Sequence, residues 1–160
     1  KIFLKHNIKI CIFFGLVIFS TFFIVFTKPP NHNINSLMNQ SRKGCLKCID
    51  KILDNDVSIN SIDNIGMTAL MWATYSQNLD VVNYLITRGA NLNQKRRFFG
   101  QTALMLSSYF GNYEIVICLI KNGATIDIND KNGKNAIIWA IENNHNKIAE
   151  LLIRQSSFLK

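Results

Sequence analysis

Gly66-Met67-Thr68-Ala69-Leu70-Met71 returns after 34 residues as Gly100-Gln101-Thr102-Ala103-Leu104-Met105, and after a further 33 as Gly133-Lys134-Asn135-Ala136-Ile137-Ile138. The agreement continues downstream. Val81-Val82 aligns with Ile115-Val116 and Ile148-Ala149, and Leu85-Ile86 with Leu119-Ile120 and Leu152-Ile153. Arg88-Gly89-Ala90 aligns with Asn122-Gly123-Ala124. A fixed period shared by turn, cap and core residue types marks a stacked repeat, whose single unit cannot bury its apolar face alone.

The same register reaches upstream. Asn35-Ser36-Leu37-Met38 takes the place of Thr68-Ala69-Leu70-Met71, and Gly44 that of Gly111. Ile52-Leu53 stands where Leu119-Ile120 does, and Val57 where Ala124 does. This copy carries Asn39, Gln40 and Arg42 where the others are apolar or small, as suits a terminal repeat with one neighbour. The count is therefore four repeats, at about 31–63, 64–97, 98–130 and 131–160.

Each unit reads as a turn, a short helix, a tight connection, a second helix and a loop. Asp63-Asn64-Ile65-Gly66 and Asp130-Lys131-Asn132-Gly133 are Asx/Gly turns. Thr68, Thr102 and Asn135 stand where N-caps belong. Ala69, Ala73, Ala103, Ser107, Ala136 and Ala140 keep the first helix small, so neighbouring helices approach closely. Val81, Val82, Leu85 and Ile86 recur at helical spacing on the second helix, which Gly89 or Gly123 ends in the left-handed conformation. The expected fold class is all-α: a solenoid of about four helix-turn-helix repeats over residues 35–160, preceded by one hydrophobic helix and a polar linker at 29–34.

Residues 10–26 read ICIFFGLVIFSTFFIVF, without a charge. Seventeen helical residues span roughly 25 Å, and Thr27 with snorkelling Lys9 and Lys28 extends that to a hydrocarbon core. Lys28-Pro29-Pro30 stops the helix. Residues 1–28 thus read as an uncleaved signal-anchor or a cleaved signal peptide. The long apolar core and the absence of small residues at Val25-Phe26-Thr27 favour the anchor. Three Lys precede the block and one follows, which puts the N-terminus in the cytoplasm and the repeats outside it. The expected location is a single-pass membrane position, or a secreted or periplasmic one after cleavage.

The formal net charge is +8. Lys1, Lys5, Lys9 and Lys28 belong to the flanks of the apolar block. From residue 31 onward fourteen Lys/Arg face ten Asp/Glu, a mild excess that argues against a nucleic-acid partner.

Asp63 to Leu70, D-x-x-G-x-T-A-L, and Val81 to Ala90, V-V-x-x-L-I-x-x-G-A, resemble the ankyrin repeat. The likeness covers about 125 residues. Ala69, Ala103 and Ala136 stand where the family often has Pro, and Met71, Met105 and Ile138 where it has His. Arg97 replaces the turn Asp, and Gly89 to Gly100 is one residue longer than Gly123 to Gly133. The resemblance implies protein recognition on a concave face, through finger tips and first helices. By position the contact residues are Asn64, Ile65 and Met67; Phe98, Phe99 and Gln101; Lys131, Asn132 and Lys134 on the fingers. Tyr75, Ser76, Tyr109, Phe110, Glu142 and Asn143 follow on the helices. Arg96 and Arg97 adjoin the aromatics, and aromatics with Arg compose interface hot spots. The expected patch centres on the third finger and suits an apolar, acidic epitope. The competing expectation folds Phe98 and Phe99 back onto their own helices.

Chemistry is not expected. Cys45-x-x-Cys48 invites a redox or metal reading, but the register puts Cys48 in the core column of Val81, Ile115 and Ile148, and Cys45 in the exposed column of Asn78, Asn112 and His145. The expectation is two structural cysteines, with a weakly constraining disulfide open to an exported domain. Trp72 and Trp139 share a column with Leu106, where packing between repeats accounts for them. There is no G-x-S-x-G, Walker loop or H-E-x-x-H. The sequence therefore points to a non-enzymatic binding scaffold whose partner is another protein, with the membrane engaged by the N-terminal helix. No metal, cofactor, nucleic acid or small-molecule substrate is expected. The alternatives are a dedicated inhibitor or immunity-type binder of one exported protein, and a truncated piece of a longer array.

Overall fold

The structure, a computed structural model, describes residues 32–157. Residues 10–26, where the membrane helix is expected, lie outside the described residues. Among those described, no helix is long and apolar enough to cross a membrane.

Among the described residues eight helices form four pairs: α1 (His32–Lys43) with α2 (Leu46–Leu53), α3 (Ala69–Tyr75) with α4 (Leu79–Thr87), α5 (Ala103–Phe110) with α6 (Tyr113–Lys121), and α7 (Ala136–Glu142) with α8 (Asn146–Ser157). First helices pack on first helices, α3 on α5 on α7, and second on second, α4 on α6 on α8. The pairs therefore stack as layers. One continuous core runs from Leu37 and Ile49 through Leu70, Val81, Leu85, Leu104, Ile115 and Leu119 to Ile148 and Leu152, all fully buried. Each such side chain contributes roughly 1.5–3 kcal/mol by leaving water.

The caps explain why these short helices start where they do. Thr68 Oγ1 accepts the Met71 N–H at 3.2 Å, Thr102 Oγ1 that of Met105 at 3.4 Å, and Asn135 Oδ1 that of Ile138 at 3.0 Å. Asn78 and Asn112 cap α4 and α6 in the same way. Each cap satisfies one orphan donor, worth about 1 kcal/mol. The residue joining the two helices takes positive φ in all four layers: Gly44 (86°), Gln77 (56°), Gly111 (73°) and Asn144 (61°).

The first layer departs from expectation at both ends. Asn35 is no cap, because α1 begins at His32 and takes in the last residues of the expected linker. At α2, Cys45 sits at the cap position without a capping hydrogen bond and is joined by a disulfide to Cys48. A covalent link thus replaces the bond that Asn78 and Asn112 make to the third helical residue. The structural-cysteine expectation is corrected accordingly. Cys48 is half-buried, and Ile49 occupies the core. The cysteines pair because helix geometry brings cap and third residue within 5.3 Å, Cα to Cα.

Candidate functional site

Each finger is a tight turn ahead of a first helix. In the second finger the Asp63 N–H donates to the Met67 carbonyl at 3.0 Å, and in the fourth the Asp130 N–H donates to Lys134 at 2.9 Å. In the third, the Arg96 N–H donates to the Gln101 carbonyl at 2.7 Å. Arg96, not Arg97, therefore holds the turn-Asp position, and the extra residue lies at the tip, among Arg97, Phe98 and Phe99. That corrects the alignment read from sequence, where the insertion had no visible position.

The substitution has a partner. Asp63 Oδ1 accepts the Ile65 and Met67 N–H groups, and its Oδ2 accepts the Trp72 indole N–H at 2.7 Å. Asp130 does the same for Asn132, Lys134 and Trp139. The third layer has Arg96 for the Asp and Leu106 for the Trp, so no carboxylate or indole N–H is left unpaired there. The Arg96 side chain turns elsewhere, with Nε donating to the Ile65 carbonyl at 3.3 Å and the guanidinium 4.5 Å from the Phe99 ring centre.

Along the first helices the aromatic rings touch edge to face in a continuous line. Trp72 meets Tyr75 at 5.6 Å, Tyr75 meets Phe110 at 5.1 Å, Phe110 meets Tyr109 at 4.9 Å, and Tyr109 meets Trp139 at 5.6 Å. Such pairs contribute about 0.5–1.5 kcal/mol each beyond area burial and hold the rings in place. Between this line and the fingers lies an open groove of about 620 Å³. Its walls include Ile65, Phe99, Gln101 and Asn132 from the fingers, and Trp72, Tyr109 and Trp139 from the helices.

The groove gathers much of the expected contact set and separates the rest. Ile65, Tyr75, Arg96, Phe99, Gln101, Tyr109, Phe110 and Asn132 line it. Met67 also lines the groove, but as part of its floor, only 3% exposed and packed with Met71 and Leu106. The residue before the cap is drawn inward by the Asp63 turn. Arg97 and Lys131 line a smaller neighbouring cleft with Lys95. Lys134 lies over the Trp139 ring and pairs with Glu142 at 2.6 Å. Phe98 and Phe99 stay 53% and 51% exposed, so they do not fold back onto their helices. Sequence reasoning missed Trp72 and Trp139 as walls. The nine-residue spacing from Asp63 to Trp72 and from Asp130 to Trp139, broken jointly in the third repeat, was the available signal.

Among the described residues no cluster of three His, Cys, Asp or Glu could hold a metal ion. On the second-helix face, the Tyr84 hydroxyl donates to Asp50 Oδ1, and Arg88 Nη1 reaches the same oxygen at 2.8 Å. Burial, then the Asp50 hydrogen bond, raises the Tyr84 hydroxyl above its ordinary value of 10.0.

Layered helix pairs with projecting fingers and an open groove define a helical-repeat solenoid. The family model "Ankyrin repeats (3 copies)" matches residues 18–96 and 89–159, and the chain belongs to the ankyrin-repeat family. It is similar to the palmitoyltransferase AKR1 of Naumovozyma castellii, 35% identical over 74 residues, 43% of this chain and 10% of that protein. It is similar also to osteoclast-stimulating factor 1 of Gallus gallus, 37% identical over 62 residues, 38% of this chain and 31% of that protein. The same factor of Rattus norvegicus matches at 37% over 38% of this chain and 29% of its own length. The chain thus aligns with between about a tenth and a third of these relatives' lengths.

Proposed function

We propose that the chain is a protein-binding scaffold without catalytic activity, which takes its partner in the groove between the fingers and the first helices. The observation that carries this is the line of rings from Trp72 to Trp139: apolar, held by its own edge-to-face contacts, with Tyr75 and Tyr109 exposed and the other three half-buried along the groove. Apolar surface of that kind marks interaction sites. Rings already fixed in place lose little freedom on binding. Residues 1–28 tether this scaffold to a membrane, with the repeats of 35–160 outside the cytoplasm. The support is the uncharged run at 10–26 and the Lys excess before it.

Partner capture by the full chain tests the groove. Tyr109→Ala with Phe110→Ala should abolish capture, whereas Asn83→Ala with Glu114→Ala, on exposed second-helix positions, should leave it intact. The reverse pattern rejects the groove. Alkaline extraction of membranes, followed by protease protection of the repeats, tests the tether.

A further inference from the structure

We propose that the groove selects an acidic segment of a partner protein, one with an apolar side chain flanked by carboxylates. This rests on the groove reading above and adds the chemistry of the occupant. What the charged groups around the groove leave without a partner is one-sided. Its acids are already engaged: Asp63 and Asp130 each accept two backbone N–H groups and an indole, and Glu142 is paired with Lys134. Three of its cations have no acid partner. Among the described residues, Arg96, Arg97 and Lys131 have no carboxylate within 4.0 Å, and they stand together around the third and fourth fingers.

Two of these cations are fixed in position. Arg96 lies 4.5 Å from the Phe99 ring centre and Arg97 5.9 Å from that of Phe98. The Arg97 guanidinium keeps its donors for a bidentate carboxylate, while Arg96, with Nε on the Ile65 carbonyl and Nη1 on Gln101 Oε1, keeps Nη2. The apolar half of the site lies beside them, lined by Trp72, Tyr109 and Trp139. Three first helices packed about 10 Å apart give a groove of roughly 20 Å, the reach of about six extended residues. A single-stranded nucleic acid fits less well. Stacking of bases needs free ring faces, and here Arg96, Arg97 and Lys134 already cover faces of Phe99, Phe98 and Trp139. Carboxylate contacts at the rim add selectivity and association rate more than affinity, which the apolar anchor supplies.

Trp72 and Trp139 are the two Trp of the chain, and both line the groove, so their emission reports its occupation by Trp-free probes. The full chain is titrated with the blocked peptides EDFLDE, KKFLKK and EDSSDE and with hexathymidylate. EDFLDE should change the emission saturably and bind about tenfold or more tightly than the other three. R97E combined with K131E should remove that preference with an unchanged thermal melt, since both side chains are exposed. Equal binding of KKFLKK overturns the acidic assignment and leaves the groove reading standing. Equal binding of EDSSDE overturns the apolar anchor. Tighter binding of hexathymidylate overturns the peptide in favour of nucleic acid. No response to any probe overturns the proposal, and retained partner capture would then show that the groove reading survives alone.

Discussion

The Trp139 indole N–H donates to Asp130 Oδ2 at 3.1 Å, and the accepting residue is only 8% exposed. The pair ties the fourth finger to its own first helix, as Asp63 and Trp72 tie the second at 2.7 Å. Asp130 accepts three N–H groups in all, at 2.8, 2.9 and 3.1 Å. Replacing one oxygen by an amide sets donor against donor in a buried place. Asp130→Asn should therefore cost about 1–3 kcal/mol. Urea unfolding of the two proteins measures it, and an unchanged midpoint counts against the turn network.

Gln77 takes φ +56° where Gly44 and Gly111 stand in neighbouring layers. A residue with a Cβ is strained there, at roughly 1–2 kcal/mol. Gln77→Gly should raise the unfolding free energy by about 1 kcal/mol, after its larger loss of backbone entropy is set against the relieved strain. A lowered midpoint in the same urea experiment would contradict this.

Gly66 and Gly89 both have positive φ, 75° and 84°, but their surroundings differ. A Cβ on Gly66 would lie 2.6 Å from the Arg97 backbone nitrogen, whereas one on Gly89 meets open space. Gly89→Ala should cost only the left-handed strain, about 1–2 kcal/mol. Gly66→Ala should cost clearly more, because the third finger must move as well. Thermal melts of the two variants should rank them in that order.

Tyr84 gives the stability a pH dependence. Its folded pKa is raised by burial and then by Asp50, so the folded state holds the proton more tightly. That contribution is fully present below pH 10.0 and is lost as the pH rises through the folded value. Stability of the wild-type chain should fall across this alkaline range more steeply than that of Tyr84→Phe. Parallel pH profiles would remove Tyr84 from the account.

The layers were legible because turn, cap and core each obey a separate local rule and all recur together. Thr68, Thr102 and Asn135 cap as their spacing implies, and Gly89 and Gly123 take the positive φ expected of them. Two kinds of feature were hidden. The insertion at Arg97, Phe98 and Phe99 carries no turn signal, so only the hydrogen bond from Arg96 to Gln101 fixes the register. Met67, next to the cap, reads as a finger residue, whereas the Asp63 turn draws it into the floor of the groove. The Cys45–Cys48 link was concealed differently: the repeat column argued for a core side chain, while cap geometry decided the pairing.

Recognition through the finger side of the stack is tested most directly by photocrosslinking. A benzophenone amino acid is placed at Phe99, beside the groove, or at Glu114, exposed on the first turn of α6. Adducts with a partner from position 99 and none from position 114 are predicted. Adducts from position 114 alone would place binding on the second helices and contradict the groove.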